Sequence, residues 1–477
     1  RLGQLDANHQ AMKRFLLLSW FAIAAQAHVG SPDVFLEGSA GPYPLYVTVR
    51  PPSVIPGIAE VEIRSSSAAI RELRVAPVPL TGIASKFAPT PDVMQRSKLD
   101  PQFFTGSLWI MAPGSWQVRV QASGADGPGQ LSVPVPAVAT TTKSMQFALG
   151  AILFVMTLVL AFGLVSIVGA GAREGRLDPG DEPDSRSKSH ARILMGITAV
   201  LVVLILWGGN HWWTAAANGY AGYIYKPLEM SAVIESNDHL LLTLKNPEWS
   251  VPRKIDDFLP DHGHLMHLYL LRAPDADRVF HLHPEMTSSG VFTHDLPSIP
   301  AGRYQLYGDV VHRSGFPETI VATLAVDHDI AGAPISGDDA DGSRAASADG
   351  VHIVWDHDPA PIKARQPQIF KFRMVDKDGA PVSDVELYMG MLGHAAFVKN
   401  DGSTFAHVHP SGTVPMAALA LANPASAEDH SMHHMQALPA EADFPYGFPN
   451  PGNYRIIVQM KHAGTVETGI FDADVIP

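Results

Sequence analysis

The 477-residue chain contains no cysteine. Disulfides, thiolate metal sites and cysteine nucleophiles are therefore excluded. Any metal has to be held by histidine, methionine, carboxylate or backbone oxygen. Charge is sparse: 17% of residues are charged, and the formal net charge is −13. That acidic balance argues against nucleic acid, which calls for a basic patch. No P-loop, HExxH, nucleophile elbow or dinucleotide fingerprint occurs, so no familiar catalytic constellation is present. What the chain has in quantity is histidine, 22 residues in all, with 18 from His239 onward.

Residues 1–27 read as upstream residues and a signal peptide. Lys13 and Arg14 precede an apolar run that closes with Ala25-Gln26-Ala27, a small-x-small cleavage pattern. Met12 is the expected start and His28 the expected first residue of the exported chain. An amino-terminal histidine suggests a copper-chelating brace of α-amine and imidazole, as in CopC-like carriers. A brace needs a second histidine, and none occurs between Val29 and Lys143, so His28 reads as an ordinary first residue. Residues 28–142 alternate short β-patterned runs with Gly/Pro turns and predict a β-sandwich.

Residues 143–213 predict a transmembrane hairpin. Phe147 to Ala170 and Ile193 to Trp213 are apolar stretches with no acidic or basic residue in their cores, and the second ends in Trp207, Trp212 and Trp213, with Asn210 and His211 at its outer edge. The loop 172–192 carries Arg173, Arg176, Arg186, Lys188 and Arg192. Basic residues beside helix ends set topology, so this loop is expected in the cytoplasm and the large domains on the periplasmic side of a bacterial inner membrane.

The remainder reads as two histidine-rich β-sandwich repeats, 220–327 and 351–477, joined by a Gly/Ala/Ser/Asp-rich flexible linker over 328–350. Each repeat contains a hairpin ending in His-x-His-Pro: Asp261 to Met286 and Gly393 to Pro410. In the first, a loop over Ala273 to Asp277 pairs Arg272 with Arg278 and sets His267 opposite His283. In the second, a type I′ turn at Asp401-Gly402 pairs Asn400 with Ser403 and sets His394 opposite His409. Residues two apart in a strand share a face, which adds His281 and His407. His312 and His462 follow on matching final strands that begin at Gly302 and Gly452. An insertion in the second repeat adds a Met432-His433-His434-Met435 tract. The candidate metal ligands are thus His267, His281, His283, His312, His394, His407, His409 and His462, with Met432, His433, His434 and Met435. Imidazoles with nearby thioethers favour copper, with zinc second.

The motifs His281-Leu282-His283-Pro284 with Ala301-Gly302-Arg303-Tyr304, and His407-Val408-His409-Pro410 with Pro451-Gly452-Asn453-Tyr454, resemble YtkA-like bacterial envelope modules. The resemblance implies Ig-like sandwiches near copper-handling functions. The expected class is mainly β, with three Ig-like β-sandwich domains plus a two-helix transmembrane hairpin. The expected function is a membrane-anchored protein that binds copper for buffering, resistance or delivery, with the lipid bilayer and an envelope protein as partners. Two alternatives are a copper-dependent redox enzyme and a structural protein whose histidines bind no metal.

Overall fold

The structure, a computed structural model, describes residues 30, 32–178, 180–235, 238–247, 249–343, 350–424 and 438–477. The signal segment, His28 and the Met432–Met435 tract lie outside the described residues. The described chain is mainly β, in six sheets, with three α-helices: α1 (Phe147–Glu174), α2 (Ser185–Ala221) and α3 (Met416–Ala422).

In the N-terminal unit a five-stranded sheet and a four-stranded sheet share one apolar cluster. Strand Gly57–Ser65 shows why. Ala59, Val61 and Ile63 alternate with exposed or half-exposed neighbours, so one face enters the core. Tyr43 ties the two sheets together: its hydroxyl donates to Gly127 O at 2.8 Å, at the tip of the hairpin between Gly114–Gly124 and Gly127–Ala137.

Helices α1 and α2 run 28 and 37 residues and are long and apolar enough to cross a membrane. At 1.5 Å per residue even the shorter spans about 42 Å, more than the ~30 Å hydrocarbon layer. Both extend past the apolar stretches read from sequence. Asp184 caps α2 by accepting the Ser187 N–H at 2.7 Å. The helices meet where Gly169 faces Met195: a Cβ at Gly169 would lie 2.5 Å from the Met195 sulfur. A larger residue there would require the flexible Met195 side chain to move.

Each histidine-rich repeat has a smaller sheet and a larger one that carries its hairpin. In the first repeat, strand His267–Ala273 lies between Arg278–Leu282 and Gly302–His312. In the second, His394–Lys399 lies between Phe405–Val408 and Gly452–His462. Pairs such as Leu268 with Leu282 and Ala395 with Val408 continue in the expected register, which sets His267 across from His283 and His394 across from His409.

The turn chemistry of the second hairpin differs from expectation. Gly402 donates to Lys399 O, and only Gly402 is left-handed, so the Asp401-Gly402 turn is not type I′. Lys399 pairs with Thr404, which preserves the register. Residues 328–350 differ as well. The expected flexible linker provides strand Ala340–Ser343, which extends the first repeat's hairpin sheet with Ala340 beside His281. Its small residues form no core of their own, yet the free edge of Arg278–Leu282 supplies backbone partners.

The hairpin strands are buried on both faces. Leu268 and Leu270 enter the first repeat's own core, whereas Tyr269 and Leu271 face the second repeat. There they pack with Tyr307, Val398, Phe405 and Ile457, and Tyr307 stacks on Phe405 at 4.5 Å. A fully buried apolar side chain contributes about 1.5–3 kcal/mol, so this shared layer holds the repeats face to face. The N-terminal unit closes over one end. Leu36 bridges to Gly412, Leu419 of α3 joins the N-terminal core, and Asn423 exchanges two hydrogen bonds with Ser132.

Candidate metal centre

The interface parity that buries Tyr269 and Leu271 also buries the histidines. His267, His281 and His283 lie on the face turned to the second repeat, and His394, His407 and His409 on the face turned to the first. The six rings form one cluster between the repeats, not one cluster in each. His267 and His407 lie with ring centroids 5.2 Å apart, and His281 and His394 at 6.4 Å. The two halves match closely: His267 Nδ1 is 3.2 Å from His281 Nε2, and His394 Nδ1 is 3.2 Å from His407 Nε2.

Two turns add a residue that sequence reading missed. Asp261 and His264 exchange both backbone hydrogen bonds around His262-Gly263, as Tyr388 and Met391 do around Met389-Gly390. All four central residues have positive φ, 51° and 91° in the first turn and 50° and 80° in the second. These are tight two-residue turns, and a non-glycine residue in the left-handed region costs about 1–2 kcal/mol. In return the turns touch, and His262 Nδ1 donates to Met389 O at 2.8 Å. His262 thereby crosses into the second repeat, 4.9 Å between ring centroids from both His394 and His409. The signal was a residue-Gly pair, His262-Gly263 and Met389-Gly390, at the same distance before His267 and His394.

Ring nitrogens gather into two groups able to hold a metal ion: His267, His281 and His283, and His262, His394 and His409, with ligand atoms in each group within 4.8 Å of one another. Hydrogen bonds fix the tautomers in the first. His267 Nε2 faces Asp261 O at 3.0 Å, so it carries the proton. His281 Nδ1 donates to Gln459 Oε1 at 2.9 Å. The Gln459 amide nitrogen donates to Thr468 Oγ1, whose hydroxyl donates to Asp341 O, which turns the amide oxygen towards His281. His283 Nδ1 donates to the Asp339 carboxylate at 3.0 Å. His267 Nδ1, His281 Nε2 and His283 Nε2 therefore present lone pairs. A carboxylate or carbonyl behind each imidazole is the usual outer shell of a metal-binding histidine.

In the second group His262 Nε2 and His394 Nε2 are buried without a partner, as is His283 Nε2 in the first. Burying an unpartnered polar atom costs about 1–3 kcal/mol, and here several point at one another. Burial, first among the causes, holds all six triad imidazoles below the ordinary histidine range. They are neutral, the form that binds metal.

His312 and His462 do not join. The strand alternation that points Tyr307 and Asp309 at the interface points His312 the other way. Its Nδ1 meets Asp257 at 2.7 Å and its Nε2 meets Glu318 at 3.1 Å, with Arg253 on the far side of Glu318 at 2.7 Å. His462 lies 3.5 Å from Asp384 and is half-buried. His264, also unforeseen, lies against His283 with ring centroids 4.0 Å apart and planes tilted by 31°, and His294 reaches Asp339 at 3.1 Å.

The half of the chain that builds this centre matches a family, DUF8832, a domain of unknown function, over residues 225–328 and 346–476. The match takes in both repeats. No curated protein matches the chain. Among solved structures, the tetra-tandem repeat in the extending region of a large adhesion protein aligns at 8% identity, over 88% of this chain and 71% of that one, with a TM-score of 0.16. Dimeric latent PorU from Porphyromonas gingivalis aligns at 9% identity, TM-score 0.14, and Salmonella alpha-2-macroglobulin reacted with methylamine at 10%, TM-score 0.19. These two alignments take in 88% and 95% of this chain, which spans only 32% and 24% of the respective structures.

Proposed function

We propose that this is a membrane-anchored metal-binding protein that holds copper between two tandem envelope modules, for buffering, resistance or delivery to an envelope partner. The observation that carries the reading is a proton count. Two neutral imidazoles, His267 and His281, bring two protons to Asp261 O, their own 3.2 Å nitrogen–nitrogen approach and Gln459 Oε1, while the Tyr388 hydroxyl, 3.3 Å from His281 Nδ1, spends its own proton on Asp338 O at 2.7 Å. The outer contacts are acceptors and take both protons, which leaves two lone pairs face to face. A cation between them removes that repulsion. Tetrahedral imidazole ligands at about 2.0 Å from a metal stand about 3.3 Å apart, close to the observed spacing.

Imidazole-only donor sets suit copper and zinc. Met389 and Met391, which replace His262 and His264 in the second repeat's turn, tilt the choice to copper. Helices α1 and α2 anchor the chain in the inner membrane with loop 172–192 in the cytoplasm, and the three sheet pairs are Ig-like sandwiches in the periplasm. The His-x-His-Pro motifs close the hairpins that face each other, in keeping with the YtkA-like resemblance. The test is metal content of the full chain in detergent after loading with copper and desalting. Two equivalents are expected, falling to one in His283→Ala and in His409→Ala. A folded wild-type chain that retains no copper and no zinc overturns the reading.

A further inference from the structure

Five of the six triad histidines are buried, His281 and His394 fully and His267 and His409 each 2% exposed, so an ion needs a way in. We infer that the open groove walled by His264, His283, His294, Asp338 and Asp339 is the port through which a metal cation reaches the buried histidines. The inference rests on the metal-binding reading above and adds a route to it.

Side-chain exposure falls along the groove, from 36% at Asp338 and 28% at His264, through 17% at Asp339 and 14% at His294, to 3% at His283. Each step is bonded to the next. His264 Nε2 meets Asp338 at 3.0 Å, and the His264 ring lies over His283. Asp339 takes His294 on one oxygen and His283 on the other, at 3.1 and 3.0 Å. His283 belongs to both groove and triad: it lines the groove, and its buried Nε2 has no partner. Glu285 and Asp295 add two further carboxylates, and among the described residues no lysine or arginine lines the groove. A cleft lined by one sign of charge concentrates counter-ions and raises their on-rate. A second cavity reaches His267, His407 and His409 beneath the N-terminal unit; Asp33, Asp261, Asp309 and Glu318 line it as well, so variants confined to the groove test which approach the ion takes.

The experiment follows cobalt(II) chloride uptake by the full chain in detergent, using the visible d–d absorbance that cobalt gains from nitrogen ligands. Asp338→Asn combined with His294→Gln alters the groove and leaves every triad ligand in place. The endpoint absorbance is expected to match wild type while the uptake rate falls about tenfold. Asp295→Asn, at the exposed rim, keeps a side-chain oxygen for His239 Nδ1 and is expected to slow uptake about threefold. Wild-type rates in both variants, with wild-type endpoints, overturn the port and leave the metal centre standing. A wild-type chain that develops no cobalt absorbance overturns the metal reading and the port with it.

Discussion

Asp309 and Gln459 occupy matching positions in the two repeats, and each reaches across the interface to the first histidine of the other's His-x-His. Gln459 Oε1 takes His281 Nδ1 at 2.9 Å, and Asp309 Oδ2 lies 3.5 Å from His407 Nδ1. Each middle histidine thus faces an oxygen supplied by the other repeat. The histidine cluster is built by the pair, and the difference between amide and carboxylate makes the two halves chemically unequal.

Replacing Gln459 therefore tests whether the second repeat tunes ligands of the first. In Gln459→Leu, His281 loses the acceptor that fixes its tautomer. Removing such an outer partner weakens metal binding about 10–100-fold. Competitive titration with a chelator should show this loss at the His267/His281/His283 group alone, with the total number of ions at saturation unchanged. Equal weakening at both groups would mean that Gln459 acts on the packing of the repeats.

His262 offers the complementary test. Met389 already shows that methionine fits this turn at almost the same φ. His262→Met should fold, keep the His267/His281/His283 ion and lose the ion at His394/His409. Metal analysis should fall from two equivalents to one. Retention of both would assign His407 as the third ligand of the second group.

Much of this was legible before the structure. The register that opposes His267 to His283 and His394 to His409 follows from loop length and strand alternation, which are local properties. The same alternation, carried from Tyr304 along its strand, excludes His312 and selects Asp309. What no local rule contains is that the histidine faces of the two repeats meet, because both faces of each hairpin are apolar enough to be buried. His262 was hidden for a different reason: it sits on a tight turn, where neither strand nor helix periodicity marks a side chain's direction. Residues 340–343 read as linker because their composition supports no core, yet an open strand edge needs only backbone.

The orientation of the helices rests on the basic loop 172–192 and is open to chemical labelling, since the chain has no cysteine of its own. Cysteines introduced as Ser123→Cys and Ser343→Cys should react with an impermeant thiol reagent on intact spheroplasts. Ser187→Cys, three residues after the cap of α2, should react only after permeabilisation. Labelling at position 187 alone in intact cells would reverse the topology and place the histidine cluster in the cytoplasm.

His312 predicts a pH dependence of stability separate from metal binding. Burial alone would lower its proton affinity, but hydrogen bonds to Glu318 and Asp257, and then their charges, outweigh burial and raise it above the ordinary value. A group raised in the folded state contributes stability that is fully present below its unfolded value, about 6.5. That contribution is lost as pH rises through the higher folded value. Charge-assisted hydrogen bonds are worth about 1.5–3 kcal/mol, so His312→Asn should destabilise the first repeat by that order in mildly acidic buffer. Urea melts of metal-free protein from about pH 5.5 to about pH 8.5 should show the gap between wild type and variant narrowing as pH rises. A gap that is constant across this range, or that widens towards alkaline pH, would mean that His312 is held neutral between its two carboxylates.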